Sequence, residues 1–254
     1  ERAFVAIDLG LGADFVALRL AEVAGASLAA LACFVYAARR VGPTLALAPA
    51  ILLLFLGTAW EITVIPAGIA NTWCAAAGVG ALLALEREDR RGDAIAAGLL
   101  VVSIASWTLG VIFAAGAALA IALRPGVRGR IWVAALPLGL YVLWYAWLRV
   151  LGPEAADVQN IRAINLLLVP SFVAQEAAAV GGALAGLNYD RDPEGLFATF
   201  STASAFGAVI AALGGVAILA GLRRRGLSAG AVVALAMLLG FWFVLALSVG
   251  PGRS

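Results

Sequence analysis

The chain has 254 residues, of which 64% are hydrophobic and only 13% are charged, and its mean hydropathy is +1.03. Long apolar runs recur along its whole length, which excludes a soluble globular protein and indicates an all-α membrane protein with several spans. The 17 basic residues are all arginine, and histidine is absent. The missing histidine argues against haem or chlorophyll held by imidazole and against His-ligated zinc or copper.

The first predicted elements are a surface segment and two membrane spans. Residues 1–17 mix acidic and apolar residues, which is typical of an amphipathic segment lying at the outer surface. Spans of about 20 residues are predicted at roughly 18–38 and 44–60. The arginine pair and the Gly-Pro turn between these spans indicate a tight cytoplasmic return.

A third span at roughly 67–85 is followed by a charged loop, EREDRRGD, and by an apolar stretch of unusual length. This stretch, 94–123, is too long for one comfortable span and too short for two, and polar residues interrupt it around Trp107. Arginine-rich flanks assign both of its ends to the cytoplasmic face. We therefore predict two half-length helices that enter and return, with a turn buried in protein or water.

The rest of the chain contains three predicted spans and one outer region. A span at 131–150 ends in aromatic residues that suit a membrane interface. Residues 151–200 form an outer loop with an interfacial helix, in which Gly182 and Gly186 would permit close helix contact. The closing spans are predicted at 201–222 and 229–249, within residues 201–249.

The predicted fold class is thus an all-α polytopic transmembrane bundle in one domain, residues 1–254. It has about six full spans, a cytoplasmic-side half-helix hairpin and an outer interfacial helix. Both termini of the chain lie outside, and 11 of the 17 arginines fall in cytoplasmic loops. This pattern predicts a multi-pass membrane protein, and the enrichment in Arg, Ala and Gly without Lys indicates a bacterial source and hence the inner membrane. The two cysteines, Cys33 and Cys74, are expected to be free thiols near opposite faces.

Motifs for soluble chemistry are missing: the sequence has no P-loop, no CxxC and no nucleophile–histidine pair. No metal ligands or cofactor are evident, and the arginine clusters indicate membrane orientation, not nucleic-acid binding. Charged residues within or beside spans are costly, which makes them the functional candidates. Glu61 is the best candidate for a catalytic residue. It either snorkels to water or caps a helix, or it lines an outward cavity with Trp60, Asn71 and Trp73.

Arg19 and Glu22 form a second candidate within the first span. They stand three residues apart on one helical face. They either neutralise each other near the outer interface, or Arg19 reaches an anionic lipid phosphate. Both residues are therefore predicted to bind substrate, together with the polar and aromatic neighbours of Glu61.

Three stretches carry a resemblance to a known group. The run RLAEVAGASLAALACFVYAARRVGPTLALAPAILLLFLGTAWE resembles the early spans of large actinobacterial membrane proteins of the GT-C glycosyltransferase type. ALEREDRRGDAIAAGLLVVSIASWTLGVIFAAGAALAIALR resembles the short cytoplasmic-side helix pair of that group, and GFWFVLALSVGPGR resembles a later part. The similarity is one of hydropathy and short polar markers and covers nearly the whole chain.

The resemblance implies an envelope enzyme that transfers a sugar from a polyprenyl-phosphate donor on the outer side. In such enzymes a carboxylate of the first outer loop acts as general base or binds a divalent metal. Asp8 and Asp14 are the carboxylates near the corresponding place, and neither matches the motif. The resemblance also implies that the group's first span and C-terminal part lie beyond this sequence.

Two alternatives remain at the level of the sequence. The chain is either such an enzyme or a non-catalytic accessory or scaffold subunit of a larger membrane complex, with membrane lipids and neighbouring subunits as partners. A transporter would carry inverted repeats and broken helices at mid-membrane. The half-helix pair fits this pattern in part, but the sequence shows no internal repeat.

Overall fold

The computed structural model describes residues 16–55, 68–124, 129–151, 169–184, 202–225 and 228–248. Within these ranges all regular elements are α-helices, which confirms the predicted all-α class. The helices are α1 (Val16–Val41), α2 (Pro43–Phe55), α3 (Ile69–Leu85), α4 (Arg90–Ser106), α5 (Gly110–Ala122), α6 (Trp132–Leu151), α7 (Val169–Leu184), α8 (Thr202–Arg225) and α9 (Ala229–Ser248). The chain divides into two compact units, one reaching to Leu148 and one starting at Arg149.

Two of the described helices are long and apolar enough to cross a membrane. They are α1, with a mean hydropathy of 1.8, and residues Trp132–Val150 of α6, with 1.4. The other apolar stretches are shorter, at 10–17 residues, and include Phe206–Gly221 of α8 and Ala229–Val244 of α9. The second predicted span ends at residue 60, but α2 is described only to Phe55, and the amphipathic segment 1–17 lies almost wholly outside the described residues. Six spans therefore stay a prediction.

Two helices, α4 and α5, occupy the stretch that is predicted to form the half-helix hairpin, and their entry into a membrane from one face stays a prediction. Helix α4 has 17 residues and α5 has 13, and Trp107 adopts an extended conformation between them. Gly110 packs on the backbone of Ser103 and Ile104, so the chain turns back tightly at this point. At the other end Arg124, just after α5, donates to the Leu85 carbonyl before α4, which makes the two helices antiparallel.

Helix α4 begins earlier than predicted, because the charged loop supplies its cap. The Asp89 side chain accepts a hydrogen bond from the Gly92 N–H and satisfies a donor of the first turn. Hydropathy alone predicts that the hairpin starts at residue 94, where the apolar stretch begins. The cap extends the helix by one polar turn, to Arg90.

Helix α3 is the centre of the first unit and contacts α1, α4 and α5. Small residues make these contacts close: Gly25 of α1 lies against Thr72 and Trp73, and Gly78 of α3 lies under the Phe113 ring. Ser103 of α4 is fully buried and its hydroxyl donates to the Cys74 carbonyl over 2.9 Å. Helix packing in this unit thus depends on small and hydroxyl side chains more than on large apolar ones.

Charged loops converge at one end of the first unit. Arg39 and Arg40, at the end of α1, each approach Glu86 to 2.6 Å. Arg124 pairs with Glu88 and Arg130 pairs with Asp93. The sequence predicted these loops on one membrane face, and the structure brings them together. Which face that is stays a prediction.

Arg130 closes this network around the end of α3. Its Nε lies 3.0 and 3.1 Å from the two carboxylate oxygens of Asp93, and its Nη2 donates to the Leu85 carbonyl over 3.1 Å. The hydrogen bonds with Asp93 raise the pKa of the Arg130 guanidinium, which therefore stays charged. The Asp93 side chain is only 9% exposed, so this ion pair is largely shielded from water.

The second unit is built on a close crossing of α7 and α8. Gly181 lies against the backbone of Gly207, and a Cβ on Gly207 would overlap the backbone of Ala178 and Gly182. Glycines let two helix backbones meet in this way. The predicted role of Gly182 in close contact is confirmed, whereas Gly186 lies outside the described residues. Helix α9 also contacts α7.

Gly207→Ala should destabilise the second unit, because the new methyl group has only backbone around it and cannot be accommodated by a rotamer change. We expect a loss of about 1–3 kcal/mol. Gly214→Ala is the matched control, since it lies on the same helix with nothing within 4 Å of an added Cβ. Thermal unfolding of the purified protein would compare the two, and an equal effect would contradict the crossing.

Arg130→Met should cost about 3 kcal/mol, because it leaves the Asp93 carboxylate buried without its partner. Arg87→Met is the control: Arg87 is exposed and lies 3.6 Å from the exposed Asp89, a pair worth at most about 1 kcal/mol. Chemical denaturation of both variants tests this difference. A neutral Arg130→Met would show that the network does not hold the first unit together.

Candidate functional site

The structure places four of the six predicted site residues. Arg19, Glu22, Asn71 and Trp73 lie in α1 and α3, whereas Trp60 and Glu61 fall in residues 56–67, outside the described ranges. The catalytic role of Glu61 and the outward cavity around it therefore stay predictions. The described residues allow a site to be built around Glu22.

Glu22 is buried between α1 and α3. Residues 18, 21, 22 and 25 recur at helical spacing on the face of α1 that is buried. Glu22 occupies one of these positions and is 2% exposed. Among the described residues, neither of its carboxylate oxygens has a partner with good hydrogen-bond geometry, although the Thr72 side chain lies close enough to interact with the carboxyl group. This arrangement is costly, because a buried charge without a partner loses its hydration.

The surroundings of Glu22 are fixed by contacts between the two helices. Trp73 Nε1 donates to the carbonyl of Ala21 over 3.0 Å, one residue before Glu22. Leu18, Ala21 and Ile69 form an apolar cluster on which the Trp73 ring packs. The Thr72 hydroxyl donates within its own helix, 3.2 Å from the Ile69 carbonyl. We call Glu22, Gly25, Thr72 and Trp73 the Glu22 site.

The sequence-based pairing of Arg19 with Glu22 is wrong. Arg19 is exposed, Glu22 is buried, and no ion pair joins them. Three residues along an α-helix leave two side chains about 60° apart around the axis. The edge of the contact with α3 falls between them, so one side chain points into the packing and the other away. The alternative, in which Arg19 reaches an anionic lipid phosphate, stays a prediction.

The other two described site residues, Asn71 and Trp73, lie near the start of α3. The Trp73 indole N–H donates to the backbone of α1, and the position of both residues at a membrane boundary stays a prediction. Asn71 is half-buried, two residues before Trp73 on the same helix. The structure therefore brings Glu22 and Trp73 together, while Arg19 and Asn71 lie at the margin of the Glu22 site.

Sequence reasoning missed two members of the Glu22 site, Gly25 and Thr72. Both are small residues in apolar runs, and nothing local distinguishes them from neighbouring alanines. The available signal was spacing: Gly25 lies three residues after Glu22, on the same face of the helix. Only the partner helix shows that Thr72 and Trp73 contact this glycine.

The Glu22 site can accept a hydrogen bond or a proton, since both carboxylate oxygens have free lone pairs. In the described ranges no three His, Cys, Asp or Glu residues are grouped so as to hold a metal ion. Because Glu22 is only 2% exposed, a ligand would reach its carboxylate only if α1 and α3 move apart. Comparison with protein-family models, curated proteins and solved structures finds no match to this chain.

Glu22→Met should increase stability by about 1–3 kcal/mol, because it replaces an unsatisfied carboxylate with an apolar side chain of similar length. The control is Arg19→Met, an exposed position where we expect a change within about 0.5 kcal/mol. The measurement is thermal unfolding in detergent. A destabilised Glu22→Met would show that the carboxylate has a stabilising partner in the native protein.

Proposed function

We propose that the chain is a multi-pass protein of the bacterial inner membrane and a GT-C-like glycosyltransferase, or part of one. It would transfer a sugar from a polyprenyl-phosphate donor on the outer face. The observation that carries the proposal is the buried carboxylate of Glu22, which has no well-oriented hydrogen-bond partner among the described residues, because ionisable groups inside membrane helices are costly and mark functional sites.

The position of Glu22 along α1 supports an outward site. The arginines at the end of α1 favour the cytoplasmic face by the positive-inside preference. Glu22 lies near the other end of α1. Trp73, at the start of α3, donates to the carbonyl of Ala21 at the same end. A lipid-linked sugar on the outer leaflet would meet the bundle at this end.

Each candidate residue then has a chemical role. The exposed guanidinium of Arg19 would bind the donor phosphate, since arginine forms paired hydrogen bonds with phosphate oxygens. Glu61 would act as general base for the acceptor hydroxyl. Glu22, Trp73 and Asn71 would position the sugar, with the indole as an apolar surface and the carboxylate as a hydrogen-bond acceptor. Trp60 would lie beside Glu61 at the entrance.

A second candidate is an accessory or scaffold subunit, and one observation favours it. Glu22 is only 2% exposed, and the described residues hold no group of acidic side chains around it. In that case Glu22 would accept a hydrogen bond from a neighbouring membrane subunit, and exposed apolar residues such as Leu20 and Val23 of α1 would contact the same neighbour.

The test uses the full-length protein in vesicles of its own host membrane, which supply native acceptors, with labelled polyprenyl-phosphate sugars. Glu61→Gln should lower transfer by about 100-fold or more while the protein remains folded. Arg19→Met should raise the KM for the donor, and Arg87→Met should change neither parameter. Unchanged transfer by Glu61→Gln would remove Glu61 from the site. No transfer by the wild type, with a subunit that copurifies, would establish the scaffold.

A further inference from the structure

A cavity of about 480 Å³ lies in the first unit and shares no lining residue with the Glu22 site. It is bounded by the break between α4 and α5 and by the first half of α6. Ile104, Pro137 and Leu140 form an apolar wall, and Trp107, Tyr141 and Trp144 form an aromatic one. Cavities of this size hold small ligands or a part of a larger one.

One side of the cavity is polar because α4 ends there. The last carbonyls of a helix have no donor within the helix. Trp107 N–H satisfies the Ser103 carbonyl, but among the described residues no donor reaches the carbonyls of Ile104, Ala105 and Ser106. The hydroxyl groups of Ser106 and Thr108 line the same region. The cavity therefore offers several acceptors at the negative end of a helix dipole.

The lining disfavours anionic ligands and supplies no counter-ion for cationic ones. All ten lining residues are uncharged. A phosphate or carboxylate would meet the negative helix end with no arginine to compensate it. An ammonium group would suit the negative helix end and the aromatic rings, but no carboxylate among the lining residues would neutralise it. The chemistry that needs no counter-ion is an apolar body carrying an uncharged hydrogen-bond donor.

We propose that this cavity binds an uncharged lipid alcohol. The hydroxyl group of the ligand donates to the free carbonyls at the end of α4, and its hydrocarbon chain lies along Leu140 and the aromatic wall. The proposal rests on the membrane location but not on sugar transfer, and the charged donor of that reaction does not fit here. Two membrane sources supply this chemistry, acylglycerols and isoprenoid alcohols.

The experiment measures binding of dioctanoylglycerol and of farnesol to the full-length protein in nanodiscs, by native mass spectrometry. We expect one of these probes to bind, and the one that binds more tightly identifies the source. Ala105→Trp fills the cavity and should weaken binding at least tenfold. Ala115→Trp is the matched control, because Ala115 is exposed on α5 and does not line the cavity.

A second variant tests the polar side. Thr108→Val keeps the shape of the side chain and removes its hydroxyl, and we expect binding to weaken about fivefold through the loss of one hydrogen bond. Leu140→Trp replaces Ala105→Trp if the latter does not fold, as judged by thermal unfolding. The proposal would be overturned if neither probe binds, or if the filled variants bind as tightly as the wild type. It would also be overturned if farnesyl phosphate binds more tightly than farnesol. None of these results depends on whether transfer is detected.

Discussion

The first unit depends on how the end of α3 is satisfied. A single backbone carbonyl, that of Leu85, accepts hydrogen bonds from Arg124 and from Arg130, which lie near the two ends of the connection between α5 and α6. Two cations at a helix C-terminus also match the negative end of its dipole. Because Arg130 holds Asp93 at the start of α4 as well, this interaction fixes where the hairpin begins and returns and where α6 starts.

The ion pairs of the arginine network stabilise one end of the first unit. Polar groups without hydrogen-bond partners lie toward the other end. The Glu22 carboxylate and the open end of α4 both lie away from the arginine network, and both leave acceptors unsatisfied among the described residues. Unsatisfied groups in a stable bundle are the usual signs of a functional site. The two sites differ in chemistry, since one presents a carboxylate between helices and the other presents carbonyls in an apolar cavity.

Small residues make both sites possible. Gly25 lets Thr72 and Trp73 approach α1 beside Glu22, and Gly110 lets α5 start against the backbone of α4. The close approach of α3 at Gly25 leaves little space beside Glu22. The cavity, by contrast, lies where the chain breaks between α4 and α5. A closed carboxylate fits either an enzyme that must open or a subunit that receives a partner, which is why the proposed function rests on a transfer assay.

The sequence by itself determined the all-α class, the break that divides residues 94–123 into two helices and the grouping of the arginine loops, because hydropathy runs and charge are local properties. The Gly42 turn was predictable for the same reason, and its φ of +89° suits glycine. Only the tertiary structure decided that Arg19 is exposed while Glu22 is buried, and that the Trp73 indole N–H donates to the Ala21 carbonyl. Those outcomes depend on which face of α1 meets α3, and a single helical sequence does not contain that information. The free carbonyls at the end of α4 likewise became a site only when α6 supplied the opposite wall.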